Sequence, residues 1–218
     1  MKKPKIMKRI AFLLFVYLFT FSPFQLLMAQ DAMKVLDIAA DRIRQAGNVK
    51  IEYHASIFAG TTERASATGT MWLQGSKLKL DADGVTTWYD GKTRWCYVPS
   101  SNEVSIDEPS RKEMAAMNPY TFMEIYKKGF KISVKESVLR GDPVYEVYLK
   151  AKYAKMDVKE VYVDIRKSDY QPLCIRVRES NDWQRVSITG FTGNVNLGDT
   201  FFTFPEKDYP NVLINDMR

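Results

Sequence analysis

The sequence predicts an α+β fold: one large, strongly curved antiparallel sheet with helical segments over its apolar face. Three observations carry this. The hydrophobic period changes from helical to two just after Gly47. From there turn residues recur at short intervals, at Gly60, Gly75, Gly84, Gly91 and Pro99, as in a meander of short strands. One strongly apolar insertion, "DEPSRKEMAAMNPYTFMEIYKKGF", interrupts the meander before it resumes.

The chain has 218 residues and a formal net charge of +6. It opens on Lys2, Lys3, Lys5, Lys8 and Arg9, followed by the apolar run "IAFLLFVYLFTF". A positive n-region before an apolar h-region reads as a secretory signal over residues 1–29, cut after Ala29 in "LLMAQD". An uncleaved anchor over Ile10–Met28 is the alternative, and Pro23 and Gln25 interrupt it. The expected product is a single exported domain, residues 30–218, in the periplasm. Five of the 32 basic residues precede the cut and all 26 acidic residues follow it, leaving 27 positive against 26 negative charges, a net +1. That removes the case for a nucleic-acid partner.

The first mature segment, "QDAMKVLDIAADRIRQAG", predicts an amphipathic helix. Asp31 is placed to cap its start and Gly47 its end, with Met33, Leu36, Ala39, Ala40 and Ile43 on one stripe. Next, "NVKIEYHASIF" alternates Val49, Ile51, Tyr53, Ala55 and Ile57 with polar residues. Strands follow in "RASATGTMWLQ", "SKLKLDA", "GVTTWYD", "KTRWCYV" and "NEVSID". In "WYDGKTRWCYVP" (88–99), Asp90-Gly91 suits a two-residue hairpin turn with positive φ at both centres. In the insertion, Pro109 and Ser110 open a short helix and Asn118-Pro119 a second.

The meander resumes with "KISVKESVLRG", "PVYEVYLK", "VKEVYVDIR", "QPLCIRVRE", "WQRVSITGF" and "TFFTF", roughly ten or eleven strands in all. Leu173, Ile175 and Val177 alternate with Cys174, Arg176 and Arg178, so one face is apolar and the other wet. A sheet of that many strands curls. The first helix and the Met-rich insertion are too little to cover its apolar face, which indicates a cavity beneath a lid.

No enzyme is legible. The one histidine, His54, sits on the polar parity of its strand, and no P-loop, nucleophile elbow, dinucleotide fingerprint or zinc spacing occurs. Neither metal nor cofactor is expected. Cys96 and Cys174 lie on separate predicted strands; export permits a disulfide, and two half-buried thiols are the alternative.

The motifs "GTMWLQ", "DGKTRWCYVP", "NPYTFMEIY" and "FFTFPEKDYPNVLIND", in that order behind one amphipathic helix, resemble the LolA family of periplasmic lipoprotein carriers. The likeness extends from Asp31 to about Met217. It implies an unclosed antiparallel β-barrel with a helical lid over an apolar cavity that takes lipoprotein acyl chains. It also implies a monomeric carrier passing cargo from an inner-membrane donor to an outer-membrane acceptor. Trp72, Leu78, Leu80, Trp95 and Tyr97 are the expected cavity residues, and Met114, Met117, Phe122, Met123 and Ile125 the expected lid residues. Gly75 stands where the resemblance implies an Arg latch, so the lid is expected to rest partly open or to be held only by apolar contacts. A lipid-binding sensor of the same fold is the alternative function.

Overall fold

The computed structural model describes residues 23–110, 113–114 and 129–218. Helix α1 (Pro23–Gln45) begins earlier than expected, so Asp31 is interior to it and caps nothing. Its end is as read: Ala46 N–H donates to the Arg42 carbonyl at 3.0 Å, and Gly47 turns the chain out at φ +63°. The buried stripe is rotated from the expected one. Ala32, Val35, Leu36, Ala39 and Ala40 are buried, whereas Met33 is 42% exposed.

The strands are β1 (Val49–Ala59), β2 (Thr62–Gln74), β3 (Lys77–Ala82), β4 (Val85–Tyr89), β5 (Arg94–Val98), β6 (Glu103–Asp107), β7 (Phe130–Leu139), β8 (Asp142–Ala151), β9 (Val158–Arg166), β10 (Pro172–Glu179), β11 (Asp182–Thr192) and β12 (Leu213–Asp216). They form one highly curved sheet in the order β12-β6-β5-β4-β3-β2-β1-β11-β10-β9-β8-β7. Two meanders, β1–β6 and β7–β11, are joined where β1 pairs antiparallel with β11. The sheet does not close, since β12 and β7 are its two edges. β12 is the exception to antiparallel pairing: it runs parallel to β6.

Two strand-level expectations change. "TFFTF" is not a strand; Phe201 N–H donates to the Gly198 carbonyl and Thr203 N–H to the Thr200 carbonyl, so it is a run of turns. The hairpin after Tyr89 is longer than two residues. Asp90 Oδ1 accepts from the Lys92 and Thr93 N–H groups at 2.9 and 2.8 Å, and only Gly91 takes positive φ. An Asx turn does the work assigned to the Asp-Gly dipeptide.

The concave face is the core. Val49, Ile51, Met71, Leu73, Leu78, Val147, Leu149, Val161, Val163, Ile165, Ile175, Val177 and Ile188 join the helix stripe in one cluster. The helix lies across β7 and β8. A second, smaller cluster on the convex face unites Trp88, Val104 and Phe204 with Trp95, Tyr97, Tyr209 and Val212. The segment between β11 and β12, which contains a single 3-10 turn at Glu206–Asp208, supplies its cover.

Cys96 and Cys174 are free thiols. Cys96 is paired in register with Thr87 and Ser105, and five strands separate β5 from β10. No disulfide geometry spans that distance.

Candidate functional site

A half-open pocket lies between α1 and β7–β8, at the edge of the concave-face cluster. A cavity of about 530 Å³ lies there, bordered by Asp31, Lys34, Val35 and Ile38 of the helix, Val134, Lys135 and Glu136 of β7, and Tyr145 and Tyr170, so its walls are apolar and its rim is charged. Val134 is the register partner of Val147, which is fully buried, so its side chain faces inward. Tyr145 shares that parity with Val147 and Leu149 on β8.

The rim is built by the β9–β10 turn. Tyr170 takes φ +58°, an uncommon backbone for a bulky residue. Its N–H donates to the Arg166 carbonyl at 2.9 Å, and Gln171 N–H donates to Asp169 Oδ1 at 3.2 Å. Asp169 Oδ2 in turn accepts from Arg42 at 3.1 Å and Arg166 at 3.2 Å, tying this turn to α1. The outcome is a Tyr145–Tyr170 stack, ring centroids 5.9 Å apart, at the mouth. Lys167 lies 5.0 Å from the Tyr145 ring and pairs with Glu136 at 2.6 Å. Burial raises the Tyr145 phenol above its ordinary range, with Tyr170 adding to the shift, so it stays neutral at physiological pH.

Three of the ten expected residues belong to the concave-face core, and none of the described ones borders the cavity between α1 and β7–β8. Leu78 is buried in the main cluster, Leu80 packs against it half-buried, and Met114 is buried in it. Met114 follows a capping box: Ser110 N–H and Oγ both reach Glu113 Oε2, at 2.7 and 2.6 Å, and Glu113 N–H returns to Ser110 Oγ at 3.3 Å. These bonds hold the Glu113 carboxyl below its ordinary range. Met117, Phe122, Met123 and Ile125 lie outside the described residues.

Trp72, Trp95 and Tyr97 do not line the cavity. Register aligns Lys50, Trp72, Lys79, Trp88, Trp95 and Ile106 in one row across β1 to β6, while the inward Leu73, Leu78 and Tyr89 form the neighbouring row. The three aromatics therefore point to the convex face. Trp72 meets Phe201 edge-on at 5.6 Å, Trp88 meets Phe204 at 5.4 Å, and Tyr97 meets Tyr209 at 4.6 Å. They are the seat of the C-terminal segment. Both faces of this half of the sheet are apolar, so residue type alone could not say which face is concave.

Lys79 is held inside that seat. Its ammonium lies 5.4, 5.5 and 5.0 Å from the centroids of Trp72, Trp88 and Phe201, and 3.9 Å from Asp81 Oδ2. A partly desolvated cation over several rings contributes about 1–2 kcal/mol. Lys79→Gln is expected to lower the unfolding free energy by that amount, read as a lower urea midpoint at unchanged slope, and to change tryptophan fluorescence. An unmoved midpoint would show that ring packing alone holds the C-terminal segment.

The latch position is also clarified. Gly75 sits in the β2–β3 turn at φ +58°, with nothing near an added Cβ. An Arg there faces open space on a left-handed backbone that costs about 1–2 kcal/mol for an L-residue. Near the start of the insertion, among the described residues, Arg94 Nε donates to Asp107 Oδ1 at 2.9 Å and its charge acts on Glu113, while Lys92 pairs with Glu108 at 3.1 Å.

Among the described residues no three His, Cys, Asp or Glu side chains converge on a metal position. His54 Nε2 lies 3.1 Å from Ser56 Oγ. No helix among the described residues is long and apolar enough to cross a membrane.

The fold has solved counterparts. An uncharacterized conserved protein from Thermus thermophilus shares 10% identity, with 85% of this chain and 99% of that chain covered, at a TM-score of 0.57. The Mycobacterium tuberculosis lipoprotein LppX gives 10% identity, 78% and 99% coverage, and a TM-score of 0.51. LprF from Mycobacterium bovis gives 8%, 78% and 97%, and 0.50. At such identities the likeness is one of fold. No curated relative matches the sequence. The sequence model of one family, described as outer membrane lipoprotein carrier protein LolA, matches residues 21–181. With that match over most of its length, and with an unclosed curved sheet behind one long helix, the chain belongs to the LolA family.

Proposed function

We propose that the protein is a periplasmic carrier that shields lipoprotein acyl chains on their way to the outer membrane. The observation that carries this is the pocket between α1 and β7–β8, where Val35, Val134, Tyr145 and Tyr170 bring the edge of the apolar cluster to the surface. Acyl chains need a large apolar surface without directional contacts, and the concave face offers that. Partial burial suits a carrier. Each methylene contributes about 0.8 kcal/mol, so about ten give about 8 kcal/mol, micromolar before binding costs. Burying several whole chains would make release too slow. The cargo would pass from an inner-membrane donor to an outer-membrane acceptor, and no chemistry is performed on it.

Native mass spectrometry of the protein isolated from its own envelope tests the reading. A mass increment matching an acylated lipoprotein is the expected result. A protein that carries only free lipid, and that accepts no lipoprotein from inner-membrane vesicles, would sink the carrier reading and favour a lipid sensor.

Export is part of the proposal. The basic n-region and apolar run before "LLMAQD" predict a new N-terminus at Gln30. N-terminal sequencing of the envelope fraction is expected to read Gln-Asp-Ala-Met. An intact Met1 in the membrane pellet would overturn it.

A further inference from the structure

The convex face of the β7–β11 half carries a second groove, polar and separate from the acyl face. Register places His54, Ser187, Cys174, Asp164, Glu146 and Lys135 in one row across β1, β11, β10, β9, β8 and β7. Arg185 and Arg176 stand directly opposite one another in the next row. The β7–β8 turn, with Arg140 at φ +53°, forms the far wall. The groove they enclose has a volume of about 570 Å³.

Charge accounting shows what the groove lacks. Arg176 Nη2 lies 2.8 Å from Glu146 Oε2 and 3.3 Å from Asp164 Oδ2, and Lys135 Nζ lies 2.9 Å from Glu146 Oε1. Two cations therefore match two carboxylates, and the floor is neutral. Arg185 lies 4.7 Å from the Phe58 ring centroid, and its one carboxylate among the described residues is Glu63, at 3.8 Å, beyond hydrogen-bonding distance. Arg140 makes no ion pair among the described residues. Like charges opposite one another on neighbouring strands are destabilising, and Arg176 has already committed its charge to the carboxylates. What remains around the groove is an excess of donors: the Arg140 and Arg185 guanidiniums and the Ser187 and Thr189 hydroxyls.

We propose that this groove binds a phosphate group, borne by a lipid headgroup or free in solution, with Arg140 and Arg185 as its cations and Ser187 and Thr189 as hydroxyl donors. Guanidinium and hydroxyl donors around one space are the chemistry that phosphate oxygens take. The site is independent of the acyl face and lies on the other side of the sheet.

Two binding measurements test it, both at low ionic strength because exposed charges are screened by salt. Calorimetric titration with inorganic phosphate reads the free anion. Flotation with vesicles of phosphatidylglycerol in phosphatidylcholine, against phosphatidylcholine alone, reads the headgroup. Arg140→Gly removes one cation at a backbone position that glycine adopts freely, so the fold is kept. Arg185→Gln removes the other, and Arg140→Lys keeps the charge. The first two are expected to weaken binding about tenfold each, the loss of one charge-assisted contact, with Arg140→Lys much closer to wild type. Saturable phosphate binding without flotation assigns a soluble phosphate. Flotation on the anionic vesicles alone, lost in Arg140→Gly, assigns a headgroup. Absence of binding in both measurements, or binding that Arg140→Gly and Arg185→Gln leave unchanged, overturns the site.

Discussion

Val134→Asp is expected to abolish retention of acylated cargo while the sheet stays folded. Val134 faces inward opposite Val147 and borders the opening between α1 and β7. It is only half-buried in the free protein, so a carboxylate there keeps contact with water until cargo enters. Cargo methylenes would then bury it without a partner. Leaving a charge unpaired in an apolar site costs several kcal/mol, and on the order of 3 kcal/mol is already a hundredfold in affinity. Ser133→Asp is the matched control, since Ser133 is the next residue on β7 and points to the other face. Retention of a fluorescent acylated peptide measures both. Equal retention by folded Val134→Asp and Ser133→Asp would show that acyl chains do not enter between α1 and β7.

The strands were legible because most of them have one wet face. In β9 and β10 the alternation of Val161, Val163 and Ile165, and of Leu173, Ile175 and Val177, with polar residues fixes parity without a structure. Gly47 announced the helix end for an equally local reason. Helix rotation was less legible. Met33 and Val35 both fit an apolar stripe, and only packing against β7 and β8 decides that Val35 goes in and Met33 stays out.

Half of the site was hidden by a non-local fact. Phe202 and Phe204 alternate as a strand would, yet they are turn residues of a segment that crosses the convex face. That segment turns Trp72, Trp95 and Tyr97 into core on the wrong side of the sheet for cargo. No local pattern reports which of two apolar faces a distant segment will cover. The missed rim residues were nearer to hand. Tyr145 has the parity of Val147 and Leu149, which already marked it as inward. Tyr170 carried no signal, because its placement comes from a turn that Asp169 ties to Arg42.

Arg176→Met is expected to destabilise the fold by about 3 kcal/mol near neutral pH and by much less in mild acid. Among the described residues Arg176 is the only cation within 4 Å of Asp164, whose side chain is 5% exposed, and one of two on Glu146. Breaking a buried pair from one side costs about 3–5 kcal/mol; the low end applies because Arg176 keeps a third of its side chain in water. Burial already raises the Asp164 carboxyl above its ordinary range, and Arg176 opposes that rise. Burial acts against the Glu146 carboxylate as well, but hydrogen bonds from Lys135 and Arg176 hold it below its range. Removing Arg176 moves both upward. A carboxyl whose folded value is raised favours folding below its unfolded value and loses that contribution as pH rises through the folded value. The variant should therefore fall furthest behind wild type above the raised Asp164 value and recover as pH drops toward the ordinary carboxylate range, where Asp164 is neutral and needs no partner. Urea unfolding of both proteins from pH 8 to pH 5 measures the gap. A gap that stays constant across that range would mean that Arg176 acts through its packing on the Tyr162 ring, 4.6 Å away, rather than through its charge.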